Sequence, residues 1–506
     1  MNRRTFITAA AALPVAVATP PAARASVTLD PSRDIGRIHP WLYGHFLEHV
    51  ERVVYGGVFE PGSKFADQEG MRRDVIDAIK EMGGARIARW PGGNFVSYYR
   101  WKDGIGPREK RPRRFDVVWG QQESNQFGTD EYLSLCRKLE CDPFITVNMG
   151  TGGRDEACEW VEYCRHSKRQ PPVKVWGLGN EHFGPWQVGH YTAEEYGHKA
   201  QQYGQFMRVV APDIELVGVG DTSPAWNEGV LRKCGETIDW LTIHLYGHRH
   251  FLDGADDYDS TVASPELFYR DMKAMADQLE QYEANSKRKR PIRISLEEWN
   301  GRHFKTNAGN SRSPGLVRES PRNIVDALFV AGVFNACHRL ASRVAMSNYV
   351  FITNAHGPLF VSPEGLVKSA VFDVFRLYAT RMQAVAMAAD VRAESFAGTV
   401  KWSRGEERVT VSRLDVSATR SEDGRRISLA LINRHKHDGC RVALDCKGRR
   451  IAPGGVLHTL HASDLAAVNT VADPKRVRST TSELSGLIQS VDLPAHSVNI
   501  LELSVF

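Results

Sequence analysis

Two short segments of this 506-residue chain end strand-like runs in a carboxylate: Trp176-Gly177-Leu178-Gly179-Asn180-Glu181 and Ile294-Ser295-Leu296-Glu297-Glu298-Trp299-Asn300. Asn-Glu after one strand and Glu-Trp-Asn after a later one suit a reaction in which two carboxyl groups face each other across a bond. One gives a proton and the other attacks, the chemistry of glycoside hydrolysis. A different chemistry is spelled by His45-Phe46-Leu47-Glu48-His49. In H-x-x-E-H two histidines one helical turn apart bind Zn²⁺ and the glutamate activates water, and that reading requires a helix. Here Pro40 to Gly44 leads in as a strand and turn, and Val53-Val54-Tyr55-Gly56-Gly57 follows closely, so a zinc peptidase built on His45, Glu48 and His49 is a remote alternative. His244, His248 and His250 lack a carboxylate partner at ligand spacing and read as loop and supporting residues. Neither metal nor cofactor is expected.

The elements that must hold these residues alternate along the chain. Strand-like runs fall at 40–46, 86–90, 144–148, 173–179, 214–220, 240–246, 292–296 and 343–348. Helical patterns lie between them at 72–82, 130–140, 156–165, 193–210, 265–283 and 322–340, with capping residues such as Thr129 and Thr192 at their starts. Eight βα repeats predict an α/β fold, a closed (β/α)₈ TIM barrel spanning residues 40–382. From about Met382 the texture changes to short alternating runs such as Val409-Thr410-Val411-Ser412 and Ile427 to Ile432, separated by Asp-Gly and Gly-Gly turns. This predicts an all-β, jelly-roll-like sandwich over 383–506, joined by residues 26–39.

Composition bounds the partners. The chain has 65 basic and 60 acidic residues, a formal charge of +5, too even a balance to argue for nucleic acid. The basic runs Arg108 to Arg114 and Lys287 to Arg290 read as solvated loops. Residues 1–25 resemble an export signal: Arg3-Arg4 precede an Ala-rich apolar stretch, and Ala23-Arg24-Ala25 offers a cleavage site. The expectation is export by the twin-arginine route to the periplasm or medium. No apolar run of membrane-spanning length follows. The eight cysteines form no CxxC pair, so most are expected to be buried thiols, although Cys440 and Cys446 are spaced to pair across a hairpin.

In a barrel of this kind chemistry sits where the strands end. Polar residues occur there strand after strand: Glu48, Asn94, Asn148, Asn180 with Glu181, Asp221, His244 with Tyr246, Glu298 and Asn348. Several stretches in this order resemble one family. They are Gly44-His45-Phe46-Leu47-Glu48-His49, Arg89-Trp90-Pro91-Gly92-Gly93-Asn94-Phe95, Trp101 to Pro107, Glu123 to Gly128, Gly179-Asn180-Glu181 with Gly184-Pro185-Trp186-Gln187, and Glu298-Trp299-Asn300. From Tyr43 to Tyr378 the chain is similar to the α-L-arabinofuranosidases of glycoside hydrolase family 51. The resemblance implies a barrel with a β-sandwich, retention of anomeric configuration, exo release of arabinofuranose from plant-type saccharides, no cofactor, and a homo-oligomer.

It also implies roles. Glu181 matches the general acid/base, with a pKa expected to be raised, and Glu298 matches the nucleophile, kept ionised by Arg89 and Tyr246. Asn180, Glu48 and Asn94 are expected at sugar hydroxyls, and His244 in the same substrate-binding set. Trp186 and Trp299 neighbour the two glutamates and are the candidate sugar platforms. Two departures stand out. Phe351 occupies the place of a glutamine that contacts the sugar in the family, and Glu297 stands where aspartate is usual, followed by a polar loop from Gly301 to Arg318. Losing a hydrogen-bonding amide there costs about 1 to 3 kcal/mol against a buried hydroxyl, which would shift the preferred glycone toward another furanoside or a pyranoside.

Overall fold

The computed structural model describes residues 23–166, 171–252, 254–305, 316–402 and 404–506. Eight parallel strands close on one another: β1 (Gly44–Phe46), β2 (Ile87–Trp90), β3 (Asp142–Val147), β4 (Val175–Leu178), β5 (Glu215–Gly218), β6 (Trp240–Arg249), β7 (Arg293–Phe304) and β8 (Val344–Val350). Each pairs with the next, and β8 returns to β1 through Asn348↔Gly44. Every residue of β2, β4 and β8 is buried, as expected for strands enclosed by side chains within and helices outside. At the bottom, Ile87, Phe144, Val175, Val217, Trp240 and Met346 pack together under Trp41, whose indole N–H donates to Asp142 at 2.7 Å.

Helices follow the strands as the sequence patterns require. Helix Ala193–Val210 starts at Thr192, whose hydroxyl and Glu195 form a reciprocal capping box. The helix starting at Thr129 is capped instead by Gly128, one residue earlier than the threonine suggests. Three further helices escape the periodicity reading, Pro224–Cys234, Tyr258–Ala263 and Ala370–Arg381. Of the basic runs, Arg111 is not a solvated loop residue: its guanidinium is buried and pairs with Glu131 at 2.9 Å.

Beyond the barrel, nine strands hydrogen-bond in one continuous sheet whose halves enclose a core of Val27, Leu29, Val416, Leu429, Leu431, Val442, Leu493 and Leu501. Strand Ala23–Arg37 runs through its middle, antiparallel to Val385–Arg392 and parallel to Cys440–Cys446. The residues read as a cleavage site, Ala23 to Ala25, thus begin a sheet strand, while Arg3-Arg4 lie outside the described residues. Hairpin Ser395–Trp402 with Gly405–Ser412 belongs to the other unit, since Trp402 pairs with Gly247 at the end of β6. Cys440 and Cys446 are the two ends of a single strand, so they cannot pair across a hairpin, and all eight cysteines are free. Among the described residues no helix is long and apolar enough to cross a membrane.

Candidate active site

Strand ends deliver the charged residues to one face of the barrel. At the end of β4 the chain turns through Gly179 at φ +82° and Glu181 at φ +42°. A left-handed glutamate is costly, and here the turn aims its carboxylate at β6. On β7 a bulge interrupts the pairing with β6: Leu296 faces Ile243, and Glu298 faces the next residue, His244. The extra residue lets consecutive glutamates reach the same partners, which strict alternation forbids. Arg89, fully buried on β2, contacts both, with Nη1 donating to Glu298 Oε1 at 2.6 Å and Nε 3.1 Å from Glu297 Oε1. Its Nη2 donates to Asn180 Oδ1 at 2.8 Å, and Asn180 Nδ2 donates to Asn94 Oδ1 at 3.1 Å. Tyr246 donates its hydroxyl to Glu298 Oε2 at 2.7 Å; burial and the Glu298 charge keep it a neutral phenol.

His244 sits among three carboxylates. Its Nδ1 is 3.0 Å from Glu181 Oε1 and 3.6 Å from Glu298 Oε2, and its Nε2 is 3.2 Å from Glu297 Oε2. Burial disfavours the charged ring, but the Glu298 charge and the hydrogen bonds to Glu181 and Glu297 outweigh it and carry the pKa up to about 10. The ring is therefore an imidazolium with both nitrogens donating. This overturns the expectation that Glu181 is raised. Burial does push Glu181 up, but the His244 hydrogen bond and charge, the Trp186 N–H and the Arg302 charge together bring it below its ordinary value.

Glu181, His244 and Glu298 present ligand atoms within 4.8 Å of one another, a set of the size that holds a divalent cation. An ion bound there would have to displace the His244 proton, because an imidazole ligates only when neutral.

Glu48 lies at the edge of the site, its Oε1 accepting from the backbone N–H of Gly93 (3.1 Å) and Phe95 (3.2 Å) and from Trp119 Nε1 (3.2 Å). Burial and the nearby Glu298 charge raise it to about 7. Close packing explains the glycines of the Pro91-Gly92-Gly93 turn: a Cβ on Gly93 would fall 2.6 Å from Glu298 Oε1, and one on Gly92 2.6 Å from Glu48 Cγ.

Other expected residues divide. Trp186 is 59 % exposed and its indole N–H donates to Glu181 Oε2 at 2.7 Å. Trp299 is not part of the site, because alternation beyond the bulge turns it outward, where it is fully buried against Phe329, Phe334 and Tyr349. Phe351, 3 % exposed, stacks on Phe46, which lies under the Arg89 guanidinium. It braces the arginine's platform, and its contacts give no ground for a changed glycone. Asn148 and Asp221 are spent on local turns, and Asn348 donates to the His45 carbonyl.

The zinc reading fails on geometry. His45 is on a strand with its ring against Phe375, and His49 is held between Glu123 (2.8 Å) and the Trp90 indole N–H (3.0 Å). Trp119 is the functional-site residue that sequence reasoning missed. It sits in the turn between strands Arg114–Asp116 and Gln121–Glu123, and no motif marks it.

A family model described as the alpha-L-arabinofuranosidase 1 domain matches residues 78–263, and one described as the alpha-L-arabinofuranosidase C-terminal domain matches 297–497. Alpha-L-arabinofuranosidase C of Emericella nidulans is 34 % identical over 453 residues, covering 83 % of this chain and 86 % of its own. An intracellular exo-alpha-(1->5)-L-arabinofuranosidase of Streptomyces lividans is 34 % identical over 486 residues, covering 90 % of this chain and 71 % of its own. The crystal structure of an alpha-L-arabinofuranosidase from Thermotoga maritima in complex with arabinose superposes with a TM-score of 0.85 at 33 % identity, covering 95 % of this chain and 100 % of that one. The expectation of export is overturned by these relatives, since the Streptomyces enzyme is named as intracellular.

Proposed function

From the premise that the chain belongs to the α-L-arabinofuranosidases of glycoside hydrolase family 51, and so is a glycoside hydrolase, we propose that it releases terminal arabinofuranose by double displacement with Glu298 as nucleophile and Glu181 as acid/base. The observation that carries this reading is the approach of the two carboxylates, with oxygens of Glu181 and Glu298 within 4.8 Å of one another around His244. Such closeness suits direct attack on the sugar, whereas an inverting enzyme separates its carboxyl groups by roughly 6.5 to 9.5 Å to admit a water.

In the first step Glu298 Oε attacks the anomeric carbon, the bond to the aglycone oxygen breaks, and that oxygen takes a proton from Glu181. The proton resides in the Glu181–His244 hydrogen bond, so the pair holds it as imidazolium at rest and delivers it through the Glu181 carboxyl. In the second step Glu181 takes a proton from water, the hydroxide oxygen bonds the anomeric carbon, and Glu298 leaves as carboxylate. Arg89 and Tyr246 keep Glu298 aimed through hydrogen bonds to its two carboxylate oxygens. Asn180, Asn94 and Glu48 are proposed to take the sugar hydroxyls and Trp186 the face of the aglycone; no cofactor enters any step. A homo-oligomer, implied by the resemblance, belongs to the same proposal and is read by light scattering.

The test is hydrolysis of a panel of nitrophenyl glycosides with the product anomer followed by NMR. The α-L-arabinofuranoside is expected to be the best substrate, with retained configuration as the first product. A preferred pyranoside, or inversion, would overturn the reading.

A further inference from the structure

The end of β7 and the short strand beside it bring together two arginines, Arg302 and Arg318, to which the reaction above gives no contact with substrate, although the Arg302 charge helps lower Glu181. Strand Leu316–Val317 runs antiparallel to β7 with His303 opposite Val317 and Phe304 opposite Leu316. The same register sets Arg302 opposite Arg318, on one face of the ribbon. Like charges in directly opposed cross-strand positions repel, so this placement costs stability unless an anion lies between or above them. The ribbon itself supplies no acid for that place. From Trp299 to Arg318 the sequence holds Arg302, Lys305, Arg312 and Arg318 and no Asp or Glu. Among the described residues Arg302 has no ion pair; its guanidinium lies 3.5 Å above the Tyr246 ring. Among the same residues Arg318 pairs with Glu51, Nε lying 3.5 Å from Oε1, and covers the Trp119 ring at 5.0 Å.

Both arginines face the reaction. Tyr246 is the hydroxyl donor to Glu298, and Trp119 is the indole donor to Glu48. The pair therefore flanks the carboxylate cluster, Arg302 over the ring that donates to Glu298 and Arg318 over the ring that donates to Glu48. Burial lowers the pKa of Arg318 and the Arg302 charge lowers it further, while the carboxylates of Glu48 and Glu51 act the other way.

We propose that Arg302 and Arg318 form an anion-binding clamp for the carboxylate of a uronic acid residue neighbouring the arabinofuranosyl unit, so that the enzyme prefers acidic over neutral branched saccharides. The proposal rests on the glycosidase reading above. A planar carboxylate between two guanidinium groups makes charge-assisted, paired hydrogen bonds that a hydroxyl cannot.

The decisive comparison uses an arabinofuranosyl oligosaccharide with a uronic acid beside the branch, and the same compound as its methyl ester, which keeps the shape and removes the charge. Wild-type kcat/KM is expected to favour the free acid by about tenfold or more, and the ratio to fall toward one in Arg302→Gln, in Arg318→Gln, and in about 0.5 M NaCl. Using the ratio cancels any effect of Arg302 on Glu181 that both substrates share. A wild-type ratio near one, with the aryl arabinofuranoside still hydrolysed, overturns the clamp and leaves the glycosidase standing. A ratio that neither variant changes also overturns it. Failure to cleave any arabinofuranoside overturns both readings.

Discussion

His244 Nδ1 lies 3.0 Å from Glu181 Oε1, and the imidazolium it belongs to is what holds the candidate acid below its ordinary pKa. Replacing it by glutamine removes the cation and leaves Glu181 with burial as its dominant influence. The Glu181 pKa then rises. In the wild type the acid's proton rests on the imidazolium and is lost only as pH approaches about 10, whereas the variant must hold it on Glu181 alone, so the alkaline limb of kcat/KM is expected to move to lower pH, with about a 10- to 100-fold loss of rate at the optimum. Stability follows from the sign of the His244 shift. A histidine raised from 6.5 to about 10 contributes stability that is fully present below pH 6.5 and lost as pH rises through about 10. The Tm gap between wild type and His244→Gln should accordingly close on approaching pH 10. An alkaline limb that stays in place would show that His244 does not govern the acid.

Glu298 and Glu181 separate by rescue. Glu298→Ala is expected to lower turnover by about 10⁴-fold or more on every glycoside, because no other carboxylate reaches the anomeric carbon. Glu181→Ala should lose least on aryl substrates with good leaving groups, which need no proton, and should regain activity with azide, yielding a retained glycosyl azide. The azide product, followed by NMR, checks the assignment; rescue of Glu298→Ala with the same stereochemistry would reverse it.

The two tryptophans next to these glutamates should behave oppositely. Trp186, 59 % exposed, has little packing to lose, so Trp186→Ala is expected to change stability by under about 0.5 kcal/mol while raising KM and altering the pH profile through its bond to Glu181. Trp299, buried against three aromatic rings, should cost about 3 to 5 kcal/mol on replacement by alanine. Trp299→Phe, which keeps an aromatic in the cavity, should retain KM with a smaller loss of stability. Denaturant unfolding and initial rates measure both, and a stable Trp299→Ala with raised KM would return that residue to the site.

The divergence of Trp299 shows what was legible in the sequence. All eight barrel strands are legible as short runs rich in β-branched and aromatic residues bounded by turns, but the first, read as 40–46, is strand only from Gly44 to Phe46, because Pro40–Tyr43 coil into a short 3-10 helix capped by His39. Glu181 and Glu298 are legible because a barrel puts its chemistry at strand ends. Side-chain direction is not, where the register slips. Adjacent Glu297 and Glu298 both point to Arg89 only because of the bulge against β6, and a bulge is fixed by pairing with a distant strand. Beyond it, alternation alone would have turned Trp299 away from Glu298. Helix Pro224–Cys234 carried its signals in plain view, Ser223 as cap and Pro224 in the first turn, yet its apolar face is too interrupted to register as a period. Trp119 and the Arg302–Arg318 pairing depend on contacts between segments remote in sequence or joined only by an antiparallel register, which spacing does not encode.

Glu48 gives a pH dependence of stability with a definite sign. Its pKa is raised from 4.5 to about 7 by burial and by the Glu298 charge. The folded state thus binds the proton more tightly than the unfolded chain between those values, and stability falls as pH rises through that window, by up to a few kcal/mol from this one group. Glutamine at this position should remove the dependence. All three hydrogen bonds to Glu48 converge on Oε1, and a carboxamide oxygen accepts them equally well without a charge to bury or to repel Glu298. Glu48→Gln is therefore expected to match the wild-type Tm near pH 5 and to exceed it at pH 8, while activity on the aryl arabinofuranoside drops where the carboxylate would hold a sugar hydroxyl. Calorimetry at the two pH values is sufficient. A variant less stable than wild type at pH 8 would mean that the ionised carboxylate is favourable in its pocket, and that the backbone N–H groups of Gly93 and Phe95 prevail over burial.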